Sequence, residues 1–548
     1  MLNVHRLIHH PPEIAWNTST THLLSIIRLP LAPQPIRAQA ARVLDEILIV
    51  VPRNLTATGD LQSQVQRRVL DVLAHQVIPD NYLGSAGTST SVELRRMGLE
   101  TLHQILQASG HTLVVGWETI FEMLSSVCKP APPLRIEPKP EQSLSVVTSG
   151  GKPLPLGYNN EKGYTSLVKI AFQSLTLVCD SVSSLSPSHL RLCISTLGHF
   201  GRQSDTNIAL TAAESLLWSV SDAIQAKRKD ANLEPEYSAL WMFLLLEVLR
   251  ICTDTRPELR VGAIQTLFRT MQLYGGTLSL DTWEECIWKV TFPLVDSITS
   301  EIRHHAHVPP ASDPPSVLVA QAWDESKILA LQSIGSIFHD FLNSKIIRLS
   351  SFPKAWDLFV NHIQDSVLLD NRVISAPALR CLEKAVKASA AAEPDLKPKV
   401  AEAKERVWET CDEIGNAVVR AQCPISPTSP SASSKSHRPF TQESLVAFVD
   451  LIRSTRNVSR VLDGAEWQLD RLTRLMAILK GDYDSSLFCL YRIFMCVGVI
   501  TYSNSPDYRP DIDNLTPVQV ITFITMRNSA SNYNIFSLSL WRLSKALI

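Results

Sequence analysis

The sequence predicts an all-α protein, an irregular HEAT/armadillo-like solenoid of helical repeats with disordered linkers. Three observations predict it: apolar residues recur at helical spacing, one helix pattern repeats, and glycine is scarce. The chain has 548 residues, with 20 glycines against 33 prolines. A single hydrophobic core stops growing at about 250–300 residues, whereas a repeat array lengthens its core with the chain. Open α/β enzymes use glycine in turns and phosphate loops, so the low glycine content disfavours them.

Apolar residues recur with the period of a helix. In the stretch 237–251 they fall at positions i, i+3, i+4 and i+7, which share one face of a helix. Further stripes begin at Ile36 and Leu167. No segment shows convincing strand alternation followed by a hairpin turn, so the spacing predicts helices throughout.

A short pattern recurs in these helices: an apolar residue, a small residue four positions later, and an apolar residue four positions after that. Residues four apart stack on one helix face, and a small central residue lets a neighbouring helix approach closely. The pattern is typical of HEAT or armadillo helix pairs, which repeat every ~40–47 residues. Unrelated amphipathic helices that share the pattern are the alternative. The copies begin at Ile36, Leu94, Ile208, Leu259 and Ile374.

Segments rich in proline, glycine and serine divide the chain into helical blocks. These segments contain too little apolar area to offset the entropy cost of ordering them. A shorter break is predicted at 303–316. In chain order the predicted segments are an N-terminal repeat block at 1–128, a Pro/Gly-rich linker at 129–163, a central repeat block at 164–422, a disordered Ser/Pro linker at 423–440, and a C-terminal helical segment at 441–548 whose tail after Pro517 is unassigned.

Charge and cysteine usage narrow the function classes. The chain carries 52 basic and 53 acidic residues, so no long-range field would attract a polyanion, and nucleic acid is not an expected partner.

The ten cysteines include no CxxC pair, which predicts buried thiols in a reducing, cytoplasmic compartment. The apolar run Leu487–Tyr502 contains Arg492 and is shorter than the roughly 20 residues of a membrane span. Any membrane contact is expected to be peripheral.

Motifs for catalysis and cofactor binding are missing from the sequence. It contains no GxxxxGK[ST] or GxGxxG phosphate loop and no GxSxG elbow. The histidine clusters His9–His10 and His304–His307 lie in proline-rich breaks without further ligands. The sequence therefore predicts no enzyme, no cofactor and no metal site.

Alternating charges mark the start of one repeat copy, at Asp254, Arg256, Glu258 and Arg260. They could contact a partner protein. The favoured interpretation is repeat stacking, in which the aspartate caps the next helix and the arginine bonds to carboxylates of the neighbouring repeat. Tryptophans are likewise predicted to pack between repeats. Those considered are Trp218, Trp241, Trp283, Trp288, Trp323 and Trp356.

Several stretches carry a family resemblance. Residues 252–276, CTDTRPELRVGAIQTLFRTMQLYGG, and residues 197–222, LGHFGRQSDTNIALTAAESLLWSVSD, resemble the homology region downstream of the Sec-seven domain in large Arf exchange factors and in the Mon-two family. Residues 282–298 continue the match. The segments around Trp323 and Trp356 resemble the Mon-two branch specifically. The chain therefore resembles a C-terminal portion of the Mon-two family.

The resemblance, over about residues 30–415, implies a large helical scaffold that lacks the catalytic Sec-seven domain. It implies a peripheral location on trans-Golgi network and endosome membranes, in endosome-to-Golgi and Golgi-to-vacuole traffic. The implied partners are a Dopey-type protein, an aminophospholipid flippase and an Arf or Arf-like GTPase. Because family members are much longer, a C-terminal portion or a truncated gene model is expected.

Two other functions stay open. The central block also fits the C-terminal regulatory region of a Sec-seven-type Arf exchange factor, in which a Sec-seven domain would lie upstream. No segment resembles the glutamate-bearing loop of that domain, so exchange activity in this chain is not expected. A general HEAT adaptor of nuclear transport or assembly would require the resemblance at 252–298 to be accidental.

Overall fold

The computed structural model describes only part of the chain, and every regular element in that part is a helix. This confirms the predicted all-α fold class. The predicted linker residues 129–160 and 423–439, and the chain after residue 463, lie outside the described residues. The described ranges are 12–53, 60–78, 89–128, 161–227, 234–307, 314–369, 371–422 and 440–463.

The chain forms two compact units, Met1–Thr282 and Trp283–Ile548. This division lies inside the predicted central block. The other predicted boundaries stay a prediction, although helix extends into the predicted break at 303–316, since residues 303–307 are helical. The helices of the first unit are α1 (Pro12–Arg28), α2 (Gln34–Arg53), α3 (Asp60–Val77), α4 (Ser89–Ser109), α5 (Trp117–Ser125), α6 (Glu161–Asp180), α7 (Pro187–Phe200), α8 (Thr206–Ser215), α9 (Ser221–Lys227), α10 (Glu234–Ile251) and α11 (Pro257–Tyr274).

Helices of the first unit pack in two layers. Consecutive helices pair, and each also contacts its counterpart in the next pair. One layer contains α1, α3, α5, α7 and α10, and the other contains α2, α4, α6, α8 and α11. This is the arrangement of HEAT and armadillo repeats, so the predicted repeat architecture is confirmed within this unit.

The second unit repeats this arrangement. Its helices α13, α15 and α17 form one layer, and α14, α16 and α18 form the other. A π-helical turn, Cys286–Thr291, joins α12 to α13. The helices are α12 (Leu280–Glu285, which contains the boundary between the units), α13 (Phe292–His307), α14 (Pro314–Phe341), α15 (Phe352–Val367), α16 (Ser375–Ser389), α17 (Lys397–Gln422) and α18 (Gln442–Asp463).

The recurring sequence pattern forms the contact between neighbouring helices. Its residues are buried in every copy except at Ile36, which is 54% exposed. At the central position of the second copy, a Cβ on Gly98 would lie 2.8 Å from Cγ2 of Val77. The small central residue is therefore required by close helix packing, as the sequence predicted.

Candidate functional site

Two of the stretches that carry the family resemblance meet at the contact between the pairs α7–α8 and α10–α11. We call this contact the loop junction; it comprises residues 198–205 and 247–260. Helix α7 ends at Phe200, and Asp205 begins α8 by accepting hydrogen bonds from the backbone N–H groups of Asn207 at 3.0 Å and Ile208 at 3.3 Å. The second half runs from the last turn of α10 into the first turn of α11.

A buried carboxylate holds the first half of the loop junction. Glu247 is 3% exposed, and its two oxygens accept hydrogen bonds from different arginines. Nη1 of Arg202 lies 2.9 Å from Oε2, and Nη1 of Arg250 lies 2.5 Å from Oε1. A buried carboxylate is tolerated when such charge-assisted hydrogen bonds compensate for its lost hydration. The Arg202 bond crosses from one helix pair to the next.

The predicted residue Asp254 lies in the α10–α11 loop and binds Arg256 twice. Oδ1 accepts from Nε at 2.9 Å and Oδ2 accepts from Nη2 at 3.0 Å. This pairing raises the pKa of Arg256 and fixes its guanidinium plane. Nη1 then donates to the carbonyl oxygens of Gln203 at 2.8 Å and Ser204 at 3.2 Å, in the neighbouring loop.

Arg260 and Glu258, the other two predicted residues, have different surroundings. Arg260 is fully buried, and its Nη1 donates to the carbonyl oxygens of Asp254 at 2.8 Å and Thr255 at 3.3 Å. Glu258 is exposed in the first turn of α11. The structure thus brings Asp254, Arg256 and Arg260 together and leaves Glu258 on the surface.

These contacts differ in detail from the predicted stacking. Asp254 does not cap α11, because its carboxylate accepts from the backbone N–H of Arg256, and Arg256 is itself the residue before the helix. Arg256 reaches main-chain oxygens of the neighbouring pair rather than carboxylates. The arginine–carboxylate bond between pairs is made instead by Arg202 and Glu247, which the sequence reasoning missed. The signal was Glu247 itself, an acidic residue within the apolar stretch 237–251.

Arginines near the start of several helices bond to the end of the preceding helix. Nε of Arg37 donates to the carbonyl oxygen of Ile27, and Nε of Arg95 donates to that of Val77, both at 2.8 Å. Arg372 donates to the carbonyl oxygens of Val367 and Leu369. The last carbonyl groups of a helix lack partners within it, and a guanidinium satisfies them. Each of these three arginines therefore ties the start of one helix to the end of the helix before it.

The tryptophans predicted to pack between repeats do so with one exception. Trp241, Trp283 and Trp323 are buried, and Nε1 of Trp356 in α15 donates to the carbonyl oxygen of Ala403 in α17 at 2.9 Å. The packing prediction is wrong for Trp218, which is 47% exposed.

No reactive cluster accompanies the loop junction. In the described ranges, no three His, Cys, Asp or Glu side chains are arranged to hold a metal ion. A cavity of about 270 Å³ lies between α3, the end of α4 and the loop after it, where Gln62 and Gln66 both donate to the carbonyl oxygen of Thr112. None of the helices in those ranges has the length and hydropathy of a transmembrane span.

The hydrogen bonds of the loop junction suit it to fixing two helix pairs against each other.

Comparison with known proteins tests the family resemblance. Residues 226–408, from the end of α9 into α17, match the family model described as the C-terminal region of Mon2 protein. The resemblance to the Mon2 family is confirmed. The Mon2 homolog of Drosophila melanogaster is 28% identical over 327 residues, which cover 55% of this chain and 17% of that protein. The human Mon2 homolog is 26% identical over 419 residues, 70% of this chain and 21% of that protein.

An Arf exchange factor is similar as well, at lower identity. The ARF guanine-nucleotide exchange factor GNL1 of Arabidopsis thaliana is 22% identical over 367 residues, 64% of this chain and 21% of that protein. The chain thus matches about a fifth of the length of its Mon2 relatives. Within the Mon2 region lie Glu247 and the four charged residues Asp254, Arg256, Glu258 and Arg260, whereas Arg202 precedes it.

Proposed function

We propose that this chain is part of a non-catalytic scaffold of the Mon2 type in membrane trafficking. The match of residues 226–408 to the C-terminal region of Mon2 protein carries the proposal. That region consists of packed helix pairs, and its residues Glu247 and Arg256 bond to the helix pair that precedes it. Paired helices of this kind offer extended surfaces to several proteins at once.

The proposed setting is endosome-to-Golgi and Golgi-to-vacuole transport. The protein would be cytoplasmic and peripherally associated with Golgi, trans-Golgi network and endosome membranes. Its proposed partners are a Dopey-type protein, an aminophospholipid flippase and an Arf or Arf-like GTPase. The family resemblance supports each of these.

A second candidate is the C-terminal regulatory region of a Sec-seven-type Arf exchange factor. The similarity to GNL1 over 64% of the chain favours it. The two candidates differ in what lies upstream in the transcript and in nucleotide exchange. The scaffold predicts no Sec-seven domain upstream and no faster release of fluorescent GDP from purified Arf by the full-length product. Accelerated release would establish the second candidate.

Recruitment in cells tests the trafficking function. The full-length product, tagged at its own locus, should overlap partly with trans-Golgi and endosome markers and should co-purify with a Dopey-type protein. A version lacking residues 226–408 should lose the co-purification or the overlap. A diffuse cytoplasmic signal for the intact protein, with no Dopey-type partner recovered, would contradict the proposal.

A further inference from the structure

Trp218 is 47% exposed and lies in an irregular turn between two helices. A π-helical turn, Leu216–Val220, joins α8 to α9. Leu216 and Val220 are fully buried, and the buried hydroxyl of Ser221 donates to the carbonyl oxygen of Leu216 at 3.1 Å, five residues back. The extra residue in this turn keeps Leu216 and Val220 in the core and leaves Trp218, between them, on the surface. Such turns interrupt regular helix geometry and recur at functional sites.

The second π-helical turn shows that exposure is not inherent to the geometry. Trp288 lies in the turn Cys286–Thr291, where it is half-buried, and its Nε1 donates to Oγ of Ser351 at 2.9 Å. The indole N–H of Trp218 has no acceptor among the described residues. The two tryptophans thus occupy similar turns, but among the described residues only the indole N–H of Trp288 has a hydrogen-bond acceptor.

Arg269 of α11 lies over the exposed indole, with its Cζ atom 4.8 Å from the ring centroid. No carboxylate within the described residues pairs with its guanidinium, so its N–H donors face solvent. Leu273 follows four residues later, on the same face of α11, and is 53% exposed. We call Trp218, Arg269 and Leu273 the Trp218 surface. It combines two exposed apolar side chains with one cation that lacks a counterion.

We propose that the Trp218 surface binds an amphipathic helix of another protein, which places apolar side chains on Trp218 and Leu273 and a carboxylate on Arg269. Tryptophan and arginine dominate binding energy at protein interfaces, and the planar guanidinium fits a carboxylate with two parallel hydrogen bonds. Stacking on the indole orients the guanidinium before the partner arrives, which lowers the entropy cost of binding. The proposal rests on the scaffold function and names one partner class for it.

The charges around the surface favour a protein over a lipid bilayer. Anionic membranes attract clusters of about four to eight lysines and arginines. Here the neighbouring helices α8 and α9 carry two exposed acidic residues, Glu214 and Asp222. Asp222 accepts a hydrogen bond from the hydroxyl of Tyr274. An acidic bilayer would be repelled by both carboxylates, whereas a helix with one carboxylate at one position avoids them.

Selection from a library tests the proposal. The 548-residue chain would be panned against phage displaying a 16-residue amphipathic helix whose apolar and flanking positions are randomised. Enriched helices should carry Asp or Glu one turn from a large apolar residue. A synthetic peptide of that sequence should bind with about tenfold lower affinity to Trp218→Ala and to Arg269→Glu, measured by fluorescence anisotropy. Replacing the peptide's carboxylate by arginine should restore affinity for Arg269→Glu.

Matched controls separate binding from folding. Ile36→Ala and Arg42→Glu alter an exposed apolar residue and an exposed arginine of the same unit, and should leave the affinity unchanged. Circular dichroism should show equal helix content and melting for all variants. Enriched helices without an acidic preference, equal binding to Trp218→Ala, or no rescue by the charge swap would each overturn the proposal. So would binding to phosphatidylserine vesicles that is lost in Trp218→Ala.

The outcomes also distinguish this surface from the proposed function. Normal recruitment to Golgi membranes without any selected helix contradicts the Trp218 surface alone. The other case is a selected helix that binds with the predicted dependence on Arg269, while the full-length product never reaches those membranes. That result contradicts the trafficking function alone.

Discussion

The carboxylate of Glu247 lies against the Cα of Gly198, where any side chain would overlap it. Two helices of neighbouring pairs, α10 and α7, can approach this closely only because residue 198 has no Cβ. The close approach brings Oε2 of Glu247 within 2.9 Å of Arg202. Glycine, carboxylate and arginine therefore form one contact, and a change in any of them should affect the others.

Gly198→Ala should destabilise the first unit by about 1–3 kcal/mol, the usual cost of overpacking a filled interior. Its Cβ would displace the Glu247 carboxylate from Arg202. Thermal unfolding followed by circular dichroism measures the effect. Gly276→Ala is the matched control, since nothing lies within 4 Å of the added methyl group, and it should leave the melting temperature unchanged. Equal melting of both variants would show that the contact does not stabilise the fold.

Arg260→Lys should cost about 2–3 kcal/mol, although the charge is kept. An ammonium group cannot reproduce the planar fork whose Nη1 binds the carbonyl oxygens of Asp254 and Thr255, and Arg260 is fully buried. Urea unfolding of the variant gives the free energy. Arg42→Lys, at an exposed position of α2, provides the control and should behave as the unchanged protein. Full stability of Arg260→Lys would remove the role assigned to the guanidinium.

Lys327 should make the stability of the second unit rise between pH 8 and pH 10.5. The side chain is fully buried, with Nζ donating to Oγ1 of Thr299 at 2.6 Å, and burial lowers its pKa to about 8. Below pH 8 both folded and unfolded chains carry the proton, so the full penalty for burying the charge is present. Between pH 8 and pH 10.5 only the unfolded chain is protonated, and stability rises by about 3 kcal/mol in total.

Lys327→Met should therefore be more stable than the unchanged protein at pH 7, and the difference should shrink as pH increases past 8. Urea unfolding at pH 7, 8.5 and 10 measures this difference. Lys354→Met, at an exposed site of α15, should show no such pH-dependent difference. A constant difference across the three pH values would contradict the assigned titration.

Asp45 should make the stability of the first unit fall between pH 4 and pH 6. Burial in α2 raises its pKa to about 6, against a smaller lowering by hydrogen bonds from Thr101 and Gln76. Below pH 4 folded and unfolded chains are both protonated; as pH rises to 6 the unfolded chain loses its proton first. Stability therefore falls over this range, by about 3 kcal/mol at most.

Asp45→Asn should be more stable than the unchanged protein at pH 7 and equal to it near pH 4. The asparagine amide can also donate to Oε1 of Gln76, which has no hydrogen-bond partner among the described residues. Melting temperatures at pH 4, 5.5 and 7 give the comparison, and Asp71→Asn, at an exposed site of α3, is the control. A variant that is less stable at pH 7 would contradict the prediction.

Local patterns allowed the helices and much of the buried surface to be predicted. In the pattern copy that begins at Leu259, the next two positions are Ala263 and Leu267, and both are buried, because helical spacing is a property of neighbouring residues. Glu247 and Arg202 could not be paired in the same way, because they are 45 residues apart in sequence and meet only through the packing of α7 on α10. Trp218 was misplaced because an α-helical period does not anticipate the extra residue of a π-helical turn.

The candidate site was predicted in part for the same reason. Asp254, Arg256 and Arg260 lie within one short stretch, so their association could be expected from sequence. Which atoms Arg256 would reach could not, since the oxygens of Gln203 and Ser204 belong to another loop.

The oxygens that Arg37, Arg95, Arg256 and Arg260 bind belong to the main chain, which every amino acid supplies. A loop on the receiving side can therefore exchange its side chains without losing the bond, provided that its backbone keeps its path. Substitution can accumulate there while the arginine must stay. Helix pairs joined in this way can persist at the 26–28% identity that this chain has to its Mon2 relatives over the aligned residues.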